Sequence, residues 1–214
     1  LDQKKKEMAT ANNAATSTPS LPPPIPVHCY QAICLAISAV TQNNIDNALA
    51  MGASGICEII ASILTEFLEN PEIGAIVCDT ICHLSFKCDA NIIKFEALQV
   101  PYTICTVLKE HVRVPAVVYR TCQAITLFSA VPALRLSMSK HGHVCDMLMK
   151  SFVTHVGSDI NVVIAVSWAI SVFTKQRETA LIFDNNKTCL ILLECLMNNK
   201  TVKALVIPVV VSIM

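Results

Sequence analysis

From Val27 onward the large apolar residues fall on helical spacing, and the same spacing returns. Ile56, Ile59, Ile60, Ile63, Leu64 and Phe67 are separated by 3, 1, 3, 1 and 3 positions, which places them on one stripe of an α-helix. Moving 44 positions on gives Val100, Thr103, Ile104, Val107, Leu108 and His111. Moving 88 on gives Val144, Met147, Leu148, Ser151, Phe152 and His155, and 132 on gives Thr188, Ile191, Leu192, Cys195, Leu196 and Asn199. The stripe keeps its register through four copies, so the chain is built from a repeating unit.

A second long helix recurs between these stripes, over 75–86, 116–127 and 161–172, with an earlier copy ending in Ala36-Ile37-Ser38. A degenerate later copy is expected over 201–214, where Pro208 falls at the position of Trp168. Equivalent positions in this helix read Ala36, His83, Ala124, Ala169 and Val209, which are 47, 41, 45 and 40 apart. Loops of unequal length, such as Glu69-Asn70-Pro71-Glu72 against Arg113-Val114-Pro115, are expected to absorb the differences. A short segment precedes each stripe: Asn47-Ala48-Leu49-Ala50-Met51 and Asn91-Ile92-Ile93-Lys94-Phe95, again 44 apart. One short and two long helices in about 44 residues match the period of armadillo or HEAT arrays.

Residues 1–26 differ in character. Lys4-Lys5-Lys6 leads through Ala, Asn, Thr and Ser into Leu21-Pro22-Pro23-Pro24-Ile25-Pro26, which predicts a flexible tail ending in an extended proline-rich linker. The proline run could also serve as a ligand for a proline-recognising domain. The repeat region then covers 27–214. It stops within an apolar stretch, Val209-Val210-Val211-Ser212-Ile213-Met214, which predicts a truncated array.

Composition narrows the function classes. Of 214 residues, 53% are hydrophobic and 15% charged, and 16 basic residues balance 16 acidic ones. No positive field is available for nucleic acid or an anionic membrane. Five glycines are too few for Gly-lined nucleotide loops or many tight turns. The eleven cysteines are odd in number, include no Cys-x-x-Cys pair and mostly sit within apolar helical patterns. They read as reduced, packed thiols in a cytoplasmic protein. The apolar uncharged run 161–174 is shorter than the roughly 20 residues a membrane span needs.

The residues resemble the armadillo repeat family across 27–214. Val166-Ser167-Trp168-Ala169-Ile170-Ser171 is similar to the family's third-helix motif, and Met51-Gly52-Ala53-Ser54-Gly55-Ile56 to its Gly-Ala-rich bend between the first and second helices. The resemblance implies an all-α, armadillo-type α-solenoid, a right-handed superhelix of three-helix repeats with a concave groove lined by third helices. It also implies binding of a peptide or a partner helix along that groove. In importin-α-like members the groove carries a Trp and, four residues later, an Asn. Here the Trp position reads Leu35, Cys82, Gln123 and Trp168, and the Asn position reads Ala39, Phe86, Leu127 and Val172. With no Asn and no net charge, recognition of basic nuclear-localisation peptides is not expected. An apolar groove suits an amphipathic helix or another segment of the same chain.

The groove residues singled out are Asp79, Cys82 and Phe86, then Arg120, Gln123 and Leu127, then Trp168 and Val172. Trp and Arg are frequent interface hot spots, which points to Trp168 and Arg120. Cys78, Cys82, His83 and Cys88 could be imagined around zinc, but the next copy has Tyr119 and Gln123 where Cys78 and Cys82 stand, so no metal is expected. Cys145 follows His141 and His143, yet it also lies 88 beyond Cys57 and 44 before Cys189, a thiol dictated by register. His83, among alanines in its set, reads as a core histidine or as a pH-sensitive or partner-contacting site. No phosphate loop, paired-carboxylate site or triad spacing occurs. The expectation is a non-catalytic scaffold or adaptor without cofactors. The alternative is a regulatory armadillo region of a larger multidomain enzyme that restrains a catalytic domain outside this fragment. Mean hydropathy of +0.54 further predicts that missing flanking repeats, a stable partner or self-association covers apolar faces, with the apolar C-terminal end as the expected place.

Overall fold

The computed structural model describes residues 25–185 other than 142, together with 188, 190–192 and 194. The proline run over 22–24, the helix copy expected over 201–214 and stripe positions Cys195, Leu196 and Asn199 lie outside the described residues, as does the apolar C-terminal end. Among the described residues there is no strand, and the protein is all-α. The helices are α1 (Val27–Thr41), α2 (Ile45–Ala53), α3 (Ile56–Glu66), α4 (Pro71–Ser85), α5 (Asp89–Ala97), α6 (Val100–Glu110), α7 (Pro115–Ser129), α8 (Pro132–His141), α9 (Val144–His155), α10 (Ile160–Phe173) and α11 (Arg177–Asn185).

Local chemistry fixes the helix ends. Proline occupies the first position of α4, α7 and α8, where its missing N–H costs nothing. Asn70 Oδ1 accepts from the Glu72 and Ile73 amides at 3.1 Å, and Asp159 Oδ1 accepts from Asn161 and Val162 at 3.0 and 3.2 Å. Between each short helix and the long one after it, the chain turns through a single left-handed residue: Gly55, Gln99 and His143, with φ of 92°, 61° and 47°. These three are 44 residues apart. Asn43 and Lys87, also 44 apart, make the preceding turn with φ of 56° and 54°.

Apolar stripes pack the helices in chain order. α1 packs on α4, α4 on α7 and α7 on α10, while α3, α6 and α9 each pack on the long helix that follows them. The stripe read from the sequence forms the middle of the core: Ile60, Ile104 and Leu148 are buried, as are Leu64, Leu108 and Phe152. The principal contacts all join helices no more than three apart along the chain.

Polar side chains tie the same joints repeatedly. Asn47 Nδ2 donates to the Val40 carbonyl at 2.9 Å, and Asn91 Nδ2 donates to Leu84 O at 2.8 Å. Arg135 Nε donates to Ser129 O at 2.7 Å, and the Thr179 hydroxyl donates to Phe173 O. These four donors lie at intervals of 44, and each satisfies a carbonyl near the end of the preceding long helix, where intrahelical partners run out. Asn91 Nδ2 also donates to Ala48 O, 43 residues earlier, at 2.8 Å. His111 Nε2 donates to Leu68 O and His155 Nε2 to Val112 O, each at 2.8 Å and each across 43 residues. Ser38 and Thr80 share a hydroxyl hydrogen bond of 3.0 Å across α1 and α4.

The structure corrects the register expected within α4. α1, α4 and α7 begin 44 residues apart, and the links 67–70 and 111–114 are equal in length. Buried Thr80, rather than His83, is therefore the counterpart of Ala36 and Ala124. Asp79 replaces Cys82 opposite Gln123 and Trp168, and His83 replaces Phe86 opposite Leu127. A three-residue slip rotates a helix by only about 60°, so hydrophobic periodicity barely registers it. The one real offset comes later: α9 has 12 residues where α3 and α6 have 11, and α10 begins 45 after α7.

Candidate partner groove

The long helices α4, α7 and α10 present their uncovered sides next to one another, and three adjoining clefts run along them. The first, about 710 Å³, is lined by Leu35, Ile76, Asp79, Tyr119, Arg120 and Asp159 among others. The second, about 330 Å³, is lined by Asn43, Asp79, Cys82, His83, Phe86, Arg120, Gln123 and Leu127. The third, about 360 Å³, is formed by Tyr119, Gln123, Thr126, Ile164, Ala165 and Trp168. Asp79 and Arg120 belong to both the first and second clefts, Gln123 to the second and third, and Tyr119 to the first and third. The three are thus one continuous surface.

Six of the eight residues singled out from the sequence, Asp79, Cys82, Phe86, Arg120, Gln123 and Leu127, meet in the second cleft. Trp168 joins them through the third and is 61% exposed. Val172 does not belong: it is buried and lines none of these clefts. The closing turn of α10 is covered all round: residues 169–174 are buried together, so no side of it is left for a partner.

The polar centre of the surface is built around Arg120. Its Nη1 lies 2.6 Å from Asp79 Oδ1 across the α4–α7 joint and donates to Gln123 Oε1 at 3.2 Å. The guanidinium carbon sits 5.3 Å from the centre of the Tyr119 ring, within cation–π range. Asp79 Oδ2 lies 3.8 Å from His83 Nε2, so one carboxylate faces both a guanidinium and an imidazole. Both partners of the Asp79–Arg120 pair remain partly exposed, which makes it a positioning contact more than a source of stability. Burial pushes the Cys82 thiol up to about 12; Asp79 adds to the rise and Arg120 opposes it. Phe86 is half-exposed, and Lys87 Nζ stands 5.3 Å from its ring centre. Sequence periodicity missed Tyr119, Asn43 and Asp159. Tyr119 had a signal, as the aromatic neighbour of an arginine on the same helix.

The other candidate chemistries are placed plainly. Cys78 is buried at the α4–α7 joint, and among the described residues no three His, Cys, Asp or Glu side chains converge as metal ligands would. Cys145 is buried in the core beside Leu148 on α9, and desolvation pushes its thiol up to about 12, so it stays protonated at neutral pH. His143 faces Asp146 at 4.0 Å. Among the described residues no single helix is long and apolar enough to cross a membrane; α2 and α3 together have the length but meet at 79°. No family model, no curated protein and no solved structure matches this chain.

Proposed function

We propose that the chain is an armadillo-type α-solenoid, a right-handed superhelix of three-helix repeats, acting as a non-catalytic scaffold or adaptor. Its partner is an amphipathic helix or peptide lying along α4, α7 and α10. Three features support the repeat reading. The helix starts recur at 43 to 45 residues, the left-handed turns at Gly55, Gln99 and His143 lie 44 apart, and so do the donors at Asn47, Asn91, Arg135 and Thr179. The observation that carries the binding reading is Trp168. A large aromatic stands 61% exposed at one end of a surface whose middle is an arginine pre-positioned by Asp79, Gln123 and Tyr119. Exposed Trp and oriented Arg are the residue types that dominate binding energy at interfaces. Among the described residues nine cysteines are free thiols, seven of them buried, which supports placement in a reducing, cytoplasmic setting.

The test is a paired comparison. The intact chain and its Trp168→Ala variant are used as bait, and a retained protein is then titrated against both. Trp168→Ala is expected to weaken binding at least tenfold while leaving the melting temperature within about 2 °C, since its side chain contributes little to the core. A variant that melts far lower but binds normally would assign Trp168 to packing and remove the proposal.

A further inference from the structure

Each long third helix carries a stripe that receives the helix before it. On α4 this stripe is Ile73, Val77, Thr80 and Leu84; on α7 it is Val117, Thr121, Ala124 and Phe128. On α10 it is Val162, Val166, Ala169 and Phe173, and every one of these twelve residues is buried. The same positions on α1 are Cys29, Ile33, Ala36 and Val40. There Ile33 is 48% and Val40 47% exposed, Ala36 is exposed and Cys29 is half-buried. The receiving face of α1 is built like the others and has no helix on it among the described residues.

We infer that this face is a docking surface for a second copy of the chain, with two α1 helices packed antiparallel about a two-fold axis. The stripe is spaced 4, 3 and 4 residues apart, the spacing of a coiled-coil seam. An antiparallel pairing centred between Ile33 and Ala36 sets Ile33 against the partner's Ala36, and Val40 against the partner's Cys29. Each large side chain thereby meets a small one, the self-complementarity that a two-fold interface requires. α1 contains no Asp, Glu, Lys or Arg, so bringing two copies together places no like charges opposite each other. The sequence of residues 1–21 offers only Leu1, Met8 and Leu21 as large apolar residues before the proline run, against the four apolar positions of the α1 stripe. None of these four α1 residues lines the clefts of the groove, to which α1 contributes Leu35, and the inference does not depend on the groove's function.

The experiment is sedimentation equilibrium of the 214-residue chain over roughly 1–500 μM, the range in which small interfaces associate. A monomer–dimer equilibrium is expected. Ile33→Glu alone and Ala36→Lys alone are each expected to be monomeric, with unchanged helical circular dichroism because both sites are exposed. Mixed together, they are expected to recover a one-to-one heterodimer, since only the antiparallel register sets the introduced carboxylate of one copy against the introduced ammonium of the other. A monomeric parent chain would overturn the inference. So would a dimer indifferent to both substitutions, or loss of dimer in both variants without recovery on mixing.

Discussion

Asn91 is the most exacting place to test how neighbouring units are joined. Its buried amide donates two hydrogen bonds of 2.8 Å, one to Leu84 O in the last turn of α4 and one to Ala48 O on α2. Asn91→Ala leaves both buried carbonyls without that donor, at about 1–3 kcal/mol each, and opens a small void. Partial relaxation brings the expected loss to about 3 kcal/mol. Its register partner Asn47 is less buried, and its side-chain amide donates only to Val40 O, at 2.9 Å. Water can take over there, so Asn47→Ala is expected to cost about 0.5–1 kcal/mol. Urea unfolding followed by helical circular dichroism measures both, with hydrogen exchange of the α4 and α5 amides locating the loss. Equal shifts for the two variants, or less than about 1 kcal/mol for Asn91→Ala, would refute the reasoning.

Other expectations follow from the same joints and from the thiols. A Cβ on Gly52 would run into Asn91 Oδ1, so Gly52→Ala is expected to destabilise about as much as Asn91→Ala; in the Asn91→Ala background the same change should become nearly neutral, which a double-mutant cycle in urea would read. His155→Ala removes the buried donor to Val112 O and should cost about 2 kcal/mol, more than His111→Ala at its half-buried counterpart, as compared by thermal melting. Burial pushes the Cys105 and Cys145 thiols up to about 12 and Cys57 up to about 11. The native state therefore keeps protons that the unfolded chain releases above about 8.5, so this contribution is complete below that pH and declines as pH rises toward 12. Urea midpoints at pH 7.5, 9 and 10 should fall in that order, and a Cys105→Ala, Cys145→Ala double variant should flatten the slope; a rising midpoint would contradict the assignment.

The period was legible because Ile60, Ile63 and Leu64 of the stripe beginning at Ile56 are buried, as are their counterparts 44 positions on, Ile104, Val107 and Leu108, and burial leaves a mark at fixed intervals; Ile59, on the same stripe, is 51% exposed. The short helices were legible from Asn47 and Asn91, although the reason for those residues was not: they act on backbone carbonyls, which no side-chain pattern reveals. His111 and His155 stood in view as polar members of an apolar stripe, and their 44-residue spacing was the available signal for a recurring hydrogen bond. The slip in α4 arose because Thr80 and His83 lie nearly on one line along the helix, and only the positions of Pro71 and Pro115 distinguish the two alignments. In the groove, Asp79 and Arg120 were found by type and spacing. The burial of Val172 was not, because an apolar residue at a groove position reads the same whether it is covered or open.

The hydrogen bonds from Asn91 to Ala48, His111 to Leu68 and His155 to Val112 each reach back 43 residues, so tension applied at the two ends of the chain would load them one after another instead of all at once. Rupture of one joint frees about 44 residues, or about 150 Å of extended backbone. The molecule would lengthen in steps of that size, yielding first where a joint has a single fastening, and would shorten again as each released stretch found its neighbour's surface still in place.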